Sequence, residues 1–564
     1  VATAVAAPPT RARLARDEWI ARGGLATLAL WLVVTVALPL WAMLSKSFQN
    51  RAGEFVGLAN YITYLTTPAL FSSFWNSLLV ATVATAVTLP AAFIYAYALT
   101  RTCMKAKSLF ATVALIPILA PSLLQAIALV YLFGNQGLLR HWLFGHSIYG
   151  PLGIVIAEAI YCFPHALMIL VTALNTADAR LYESAEALAA SPRRVLFTVT
   201  LPGVKYGIIS ASFVVFTLVI TDFGIPKIIG GRFNVLATDV YKQVIGQQNF
   251  EIGAVVGMAL LLPAVLSFIA ERLVQRRQTA LLTTRAVPLV PRPQPATDWA
   301  FFAFCALIAI PIAGMLAVAA WGSLIKFWPY DLTLTLKNYA FSRFDAQGWS
   351  SYWNSLQLAA WTALVGTVVI FIGAYLIEKT RGLQGFRAVL HLIAMFPLAV
   401  PGLVLGLSYI FFFNHPGNPL GFLYGTLAIL VINTIAHFYT VSHLTALTAL
   451  KQLDSEFEAV SASLKAPFYR TFWKVTVPVC LPAILNISVY MFLNAMTTVS
   501  AVIFLFGPFT KVASIAIVNM EDNGQTAAAA AMAMMIVATS AGVRLLHLVA
   551  SRALERRTQA WRSR

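Results

Sequence analysis

Long apolar runs set the pattern of this chain. A bilayer core takes about 20 apolar residues per helix, and twelve runs approach or exceed that scale. They fall at 24–44, 75–98, 109–133, 150–174, 206–223 and 252–270 in the first half, and at 299–322, 353–377, 388–413, 421–446, 480–506 and 524–548 in the second. The first is too long for a cleaved leader and lacks a small-residue exit, so it reads as a retained helix. The pattern predicts an all-α polytopic membrane protein with about 12 transmembrane helices.

Composition narrows the class. Of 564 residues, 59% are hydrophobic and 11% charged, with mean hydropathy +0.78. Soluble domains carry about 25% charged residues. An ordinary soluble enzyme, a disordered chain and a coiled coil are therefore excluded. The net charge of +18 would suit nucleic acid in a soluble protein. Here 29 of the 39 Lys and Arg residues fall on one side when the N-terminus is placed inside, and 10 on the other. That bias expects both termini in the cytoplasm, basic segments against membrane lipid and no nucleic-acid partner. The four cysteines (Cys103, Cys162, Cys305 and Cys480) have no CxxC spacing, and a disulfide framework or metal site has no support.

The two halves repeat. Trp75-Asn76-Ser77-Leu78 returns as Trp353-Asn354-Ser355-Leu356, and Asn60-Tyr61 as Asn338-Tyr339. Pro117 and Pro121 return as Pro397 and Pro401, and Tyr149-Gly150 as Tyr424-Gly425. Such a collinear series implies a duplicated six-helix unit. An even helix count leaves both copies in one orientation, related by an axis along the membrane normal, with a pathway between them. The expected divisions are an N-terminal tail at 1–23, a first half at 24–285, a Pro-rich linker at 286–295, a second half at 296–550 and a basic tail at 551–564.

The longest inner loops carry the chemistry. The first, 177–202, has a helical stripe at 177, 181, 184 and 188. Ser191 and Pro192 suit the start of a second short helix, which Pro202 is expected to end. The second loop, 453–478, has its stripe at Leu453, Phe457, Val460 and Leu464. A symmetric pair of amphipathic inner loops suits docking of two copies of a cytoplasmic partner better than lying on lipid.

These loops resemble the EAA motif of permease subunits of binding-protein-dependent ABC importers. That motif has an EAA triplet, a Leu-Gly turn and a closing Leu-Pro pair. Glu183, Ala185, Leu188 and Pro202 fit it in the first loop, with Ala189 at the Gly position. In the second, Glu458 precedes the triplet, Leu464 and Pro478 keep the frame, and Lys465 stands at the Gly position. The resemblance implies a type I importer-like permease docked by two ATPase subunits at these loops. It also implies a periplasmic solute-binding protein, with ATP and Mg on the ATPase and no cofactor on this chain. Fusion of two halves in one chain resembles importers for ferric iron, thiosulfate and 2-aminoethylphosphonate, and the whole run of residues is most like the 2-aminoethylphosphonate permeases. Ferric iron, thiosulfate and polyamine are the alternative solutes.

The chain has no Gly-Lys pair and so no P-loop, which places nucleotide chemistry on a partner. The distant alternative, an ion-coupled secondary transporter, needs ionisable residues at membrane depth. Only Glu158 lies mid-membrane, with Asp222 at the outer end of the fifth run; their repeat positions hold Asn433 and Thr498. Glu158, Asp222, Asn433, Asn494 and Thr498 are the candidate pathway residues. His165, His437 and His443 lie in or near helices and could pair with Asn or Glu neighbours.

Overall fold

The computed structural model describes residues 16–176, 178–279, 289–380, 382–454, 456–464 and 466–558. Among the described residues, eight helices are long and apolar enough to cross a membrane, and four bent pairs bring the spans to as many as twelve. The first half holds α1 (Glu18–Ser47), α2 (Pro68–Arg101), the bent pair α3 (Lys107–Leu119) and α4 (Ser122–Phe133), then α5 (Pro151–Asn175). After α6 (Ala179–Ala187) come α7 (Pro192–Thr221), the short α8 (Gly224–Ile229) and α9 (Leu236–Tyr241), and α10 (Phe250–Val274).

The second half begins at α11 (Pro295–Leu324), followed by a hairpin of β1 (Ile325–Phe327) and β2 (Asp331–Leu334) and by α12 (Trp349–Lys379). The bent pairs α13 (Gln384–Ala399) with α14 (Gly402–Phe413), and α15 (Leu427–His437) with α16 (Tyr439–Lys451), come next. Then follow α17 (Glu456–Ser463), the bent pair α18 (Phe468–Val479) and α19 (Leu481–Thr497), α20 (Ala513–Asp522) and α21 (Thr526–Ala553).

Three expectations are corrected. Runs 109–133 and 388–413 are not single helices: the chain turns by 104° and 113° within them. A residue before proline is pushed out of the helical region. Ala120 before Pro121 and Val400 before Pro401 are accordingly extended, and a new helix starts after each proline. Second, Pro202 does not end a helix. It sits in the first turn after a π-turn at Leu196–Thr200, where its missing N–H is tolerated, and α7 runs on into the fifth span. Only the second half breaks there, bending 75° at Cys480 between Pro478 and Pro482. Third, run 480–506 stops as a helix at Thr497. The helix of α1 reaches back to Arg16, and residues 280–288 of the linker region lie outside the described residues.

The repeated residues make repeated bonds. Asn60 donates Nδ2 to the carbonyls of Ser47 and Gln49, each at 2.9 Å, and Asn338 donates to those of Ser323 at 3.0 Å and Ile325 at 2.7 Å. The Tyr61 and Tyr339 hydroxyls meet the Ser47 and Ser323 hydroxyls at 2.8 and 3.0 Å. In the Trp-Asn-Ser-Leu copies, Ser77 accepts from the Leu236 N–H and Ser355 from the Ala513 N–H, both at 2.8 Å. Each serine thus satisfies the first amide of a short buried helix, α9 or α20, otherwise an orphan donor. Gly150 and Gly425 both have positive φ, at 116° and 78°.

The halves exchange their opening helices. α1 packs on α12, α13 and α14 of the second half, where the Tyr409 hydroxyl donates to the Thr35 carbonyl at 2.8 Å. Reciprocally, α11 packs on α2, α3 and α4 of the first half. Trp328 donates to the Gln136 carbonyl at 3.1 Å, and Asp298 accepts the Cys103 N–H at 2.8 Å. One continuous buried apolar core therefore spans both halves.

Candidate functional site

Two features stand out: a largely apolar cavity between the halves that carries a set of polar groups, and a pair of loop helices at one end. The cavity holds about 410 Å³. Both proline breaks line it, through Ser122 at the start of α4 and through Pro397–Gly402 before α14. From the first half come Tyr161 and His165 of α5, Thr217, Thr221 and Asp222 at the end of α7, and Glu271 of α10. The second half adds His437, Thr440, Tyr490, Asn494, Thr497, Thr498 and Ser500. No Lys or Arg lines it among the described residues.

Of the five predicted pathway residues, Asp222, Asn494 and Thr498 line this cavity, and Glu158 and Asn433 do not. The latter two are fully buried at matching places on α5 and α15. Asn433 donates Nδ2 to the Ala501 carbonyl at 2.6 Å, tying its span to the loop after α19. Glu158 has no such tie: Cys162 Sγ approaches its Oε2 at 3.9 Å, and its carboxyl meets that of Asp222. The Glu158 Oε1 and Asn433 Oδ1 atoms meet no donor among the described residues. Asp222 is held in place: its Oδ2 accepts the Ile225 N–H at 2.8 Å, and the Ser122 hydroxyl lies beside it. His165 and His437 line the cavity, while His443 meets His391 at 3.3 Å rather than an Asn or Glu.

A packing detail links the breaks. A side chain on Gly224 would strike the Ser122 hydroxyl, and one on Gly402 would strike the Ser500 hydroxyl. The two halves carry the same serine–glycine contact with the partners exchanged. Sequence reasoning passed over Ser122, Tyr161, Tyr490 and Glu271; the first was signalled by its place directly after the second proline of PxxxP.

At one end of the bundle, α6 and α17 project. The Asp178 side chain caps α6, accepting the Arg180 N–H at 3.1 Å. Ala179 and Ala185 face inward. The predicted stripe faces the other way: Leu181 is 57% exposed and Leu188 82% exposed. Ala177 lies outside the described residues. Glu183 is also exposed and forms no ion pair among the described residues. Glu186, one turn on, pairs with Arg292 of the linker at 2.6 Å. Ala189 has φ +52°, a left-handed residue closing α6, and the Ala190 N–H reaches back to the Ala185 carbonyl at 3.0 Å. This is the C-terminal turn that glycine normally occupies.

Ser191 accepts from the Arg194 N–H and starts α7 as predicted. Arg101 anchors the loop: it donates to the Leu174 carbonyl at 2.6 Å and stacks on Tyr182 at 5.0 Å. In the second loop Phe457, Val460 and Leu464 are likewise exposed, Leu464 by 75%. There the anchor is aromatic, with Tyr375 against Phe472 at 4.7 Å. The side chain of Glu458, and Lys465 altogether, lie outside what is described. Pro478 lies in α18 just before the bend.

Comparison with known proteins identifies the architecture. The sequence model of the binding-protein-dependent transport system inner membrane component matches residues 89–280 and 370–557, once in each half. The ferric transport system permease protein FbpB of Actinobacillus pleuropneumoniae is 28% identical over 439 residues, covering 75% of this chain and 63% of that protein. The chain thus matches under two thirds of that relative's length. The Fe(3+)-transport system permease protein FbpB 2 of Haemophilus influenzae is 24% identical over 495 residues, 86% of this chain and 91% of that protein. The spermidine/putrescine transport system permease protein PotB of the same organism is 26% identical over 265 residues, 44% of this chain and 92% of its own length. With the family pattern present in both halves of a multi-span helical bundle, this chain belongs to the binding-protein-dependent transport system inner membrane components.

Proposed function

We propose that this chain is a permease subunit of an ATP-driven importer in a bacterial inner membrane, with both termini cytoplasmic. Two copies of an ATPase subunit grip the loops at 177–202 and 453–478, and a solute-binding protein delivers at the opposite end. ATP and Mg belong to the ATPase, and the halves rock to expose the cavity to each side in turn. The observation that carries this reading is the pair of projecting loop helices, which present Leu188 and Leu464 to solvent at matching places in the two halves. Glu183 supplies an acidic contact beside the first. Reversing its charge with Glu183→Arg is expected to cut uptake by at least about tenfold in proteoliposomes while ATP hydrolysis continues. Wild-type coupling in that variant sinks the docking role.

The solute carries positive charge on this reading. Support comes from a cavity that offers carboxyl, hydroxyl and imidazole groups and no Lys or Arg. The names of the ferric and spermidine/putrescine relatives agree, and ferric iron is the first candidate. A second reading, 2-aminoethylphosphonate, is favoured by one observation. Asp222 would take the ammonium, while the N-termini of α4 and α14 at the two breaks present partial positive charge to the phosphonate. A thermal-shift screen of the cognate binding protein with ferric iron, spermidine and 2-aminoethylphosphonate separates these, and stabilisation by sulfate alone rejects a positively charged solute.

A further inference from the structure

The duplicated frame permits an internal comparison at the cavity. Some polar positions of the first half have counterparts in the second that keep the residue, as Thr221 and Thr497 do, and others carry a different side chain. At the first pair, Glu158 and Asn433 are both fully buried. Asn433 has a structural task that its amide performs, the bond to the Ala501 carbonyl. Glu158 cannot donate that bond as a carboxylate, and its Oε1 is buried without a donor. A fully buried acid is costly, and this one is tied by the Cys162 thiol at its Oε2 and by the Asp222 carboxyl, so its partner is Asp222 rather than the loop that Asn433 holds. At the second pair, Asp222 opens onto the cavity with its Oδ2 pinned by the Ile225 N–H, and its counterpart Thr498 is neutral. The acids lining the cavity, Asp222 and Glu271, both come from the first half. The polar groups of the wall opposite are hydroxyl, amide and imidazole, set among apolar residues such as Leu398, Val400 and Phe438.

We infer that the solute's positive group is seated on the first half alone, at Asp222, with Glu158 behind it as a positioning residue, and that the second half supplies a neutral hydrogen-bonding wall. This rests on the reading of the chain as a permease for a positively charged solute. The seat is a place rather than a quantity of charge. The Ile225 N–H and the Ser122 hydroxyl fix one side of the Asp222 carboxyl, and Glu158 bears on it from the buried side. A carboxyl moved to the Thr498 position would lack the acid behind it, since Asn433 stands where Glu158 does and its amide is committed to the Ala501 carbonyl. The solute is therefore held off the pseudo-two-fold axis, against one half.

The test uses the whole importer in proteoliposomes and three probes: ferric iron, spermidine and 2-aminoethylphosphonate. Whichever probe the wild type carries becomes the readout. Asp222→Asn is expected to raise KM by at least about tenfold or abolish uptake, and adding Thr498→Asp is expected to restore nothing. Asp222→Glu, which keeps the charge, is expected to retain uptake. Glu158→Gln is expected to raise KM about threefold or more with the maximal rate within about twofold, a split that a merely structural loss would not produce. Rescue of Asp222→Asn by Thr498→Asp would show that only net charge counts and would overturn the one-sided seat. So would wild-type KM in Asp222→Asn, an Asp222→Glu as inactive as Asp222→Asn, or a Glu158→Gln that changes only the melting temperature. Wild-type protein that carries none of the three probes overturns the proposed solute class itself, a failure separable from all of these.

Discussion

Ala189 shows how much one backbone angle settles. Its φ of +52° closes α6, and an alanine there bears the clash of its Cβ that glycine avoids. Ala189→Gly is expected to steady the turn by about 1 kcal/mol, seen as roughly fivefold slower amide exchange at residues 185–190. Unchanged exchange would mean that the strain is absorbed elsewhere. Glu521 is a second such residue. Burial pushes its carboxyl up to about 7 from the ordinary 4.5, with the Thr526 hydroxyl opposing and neighbouring Asp522 adding. The folded chain thus holds this proton more tightly than the unfolded one. Stability from this group is full below pH 4.5 and is lost as pH rises through about 7. Glu521→Gln should flatten the melting temperature between those limits and raise it at neutral pH; a profile that still slopes there assigns the dependence to other groups.

Elements built on repeated residues were legible in the sequence, though not always for the reason first read. Trp-Asn-Ser-Leu marked the start of a span, yet its serine serves another element, supplying the acceptor for the first amide of α9 or α20. Those two helices lay outside the twelve apolar runs, because helices of 6 and 10 residues are too short for a bilayer-length window. The same blindness hid the breaks in α3–α4 and α13–α14: hydropathy measures length of apolar chain and not its direction. Prolines carried the missing information, and their pairing at PxxxP signalled a turn more than a kink. Ser77→Ala should leave the buried Leu236 N–H unpaired, at a cost of about 1–3 kcal/mol, and Ser355→Ala should do the same to Ala513. Melting curves in detergent would check both, and a neutral result would mean that another acceptor moves in.

At the scale of the molecule, the duplication was legible, and the crossing of the halves was not. Sequence repeats report that two units are alike but carry no record of which unit a helix packs upon. α1 leans on the second half and α11 on the first. A chain cut within residues 280–288 is therefore expected to yield two fragments that co-purify when made together. Each should be degraded when made alone, since its opening helix keeps only its contact with the last span of its own half and loses its packing on the other. Protein levels in membranes, with and without the partner fragment, measure this; two independently stable fragments would contradict it.

The exchanged serine and glycine at the two breaks bear on how such a molecule can change. One hydroxyl fits each junction, and either strand can bring it, as Ser122 against Gly224 and Ser500 against Gly402 show. What the duplication preserved is an amount of space, shared between two positions more than a hundred residues from one another in the first half. A comparison of the halves letter by letter registers two losses where nothing was lost. The route from one arrangement to the other passes through a pair that is either overfilled or hollow. Drift at these junctions is thus coupled, and each half has settled on its own side of a small barrier while its outline stayed the same.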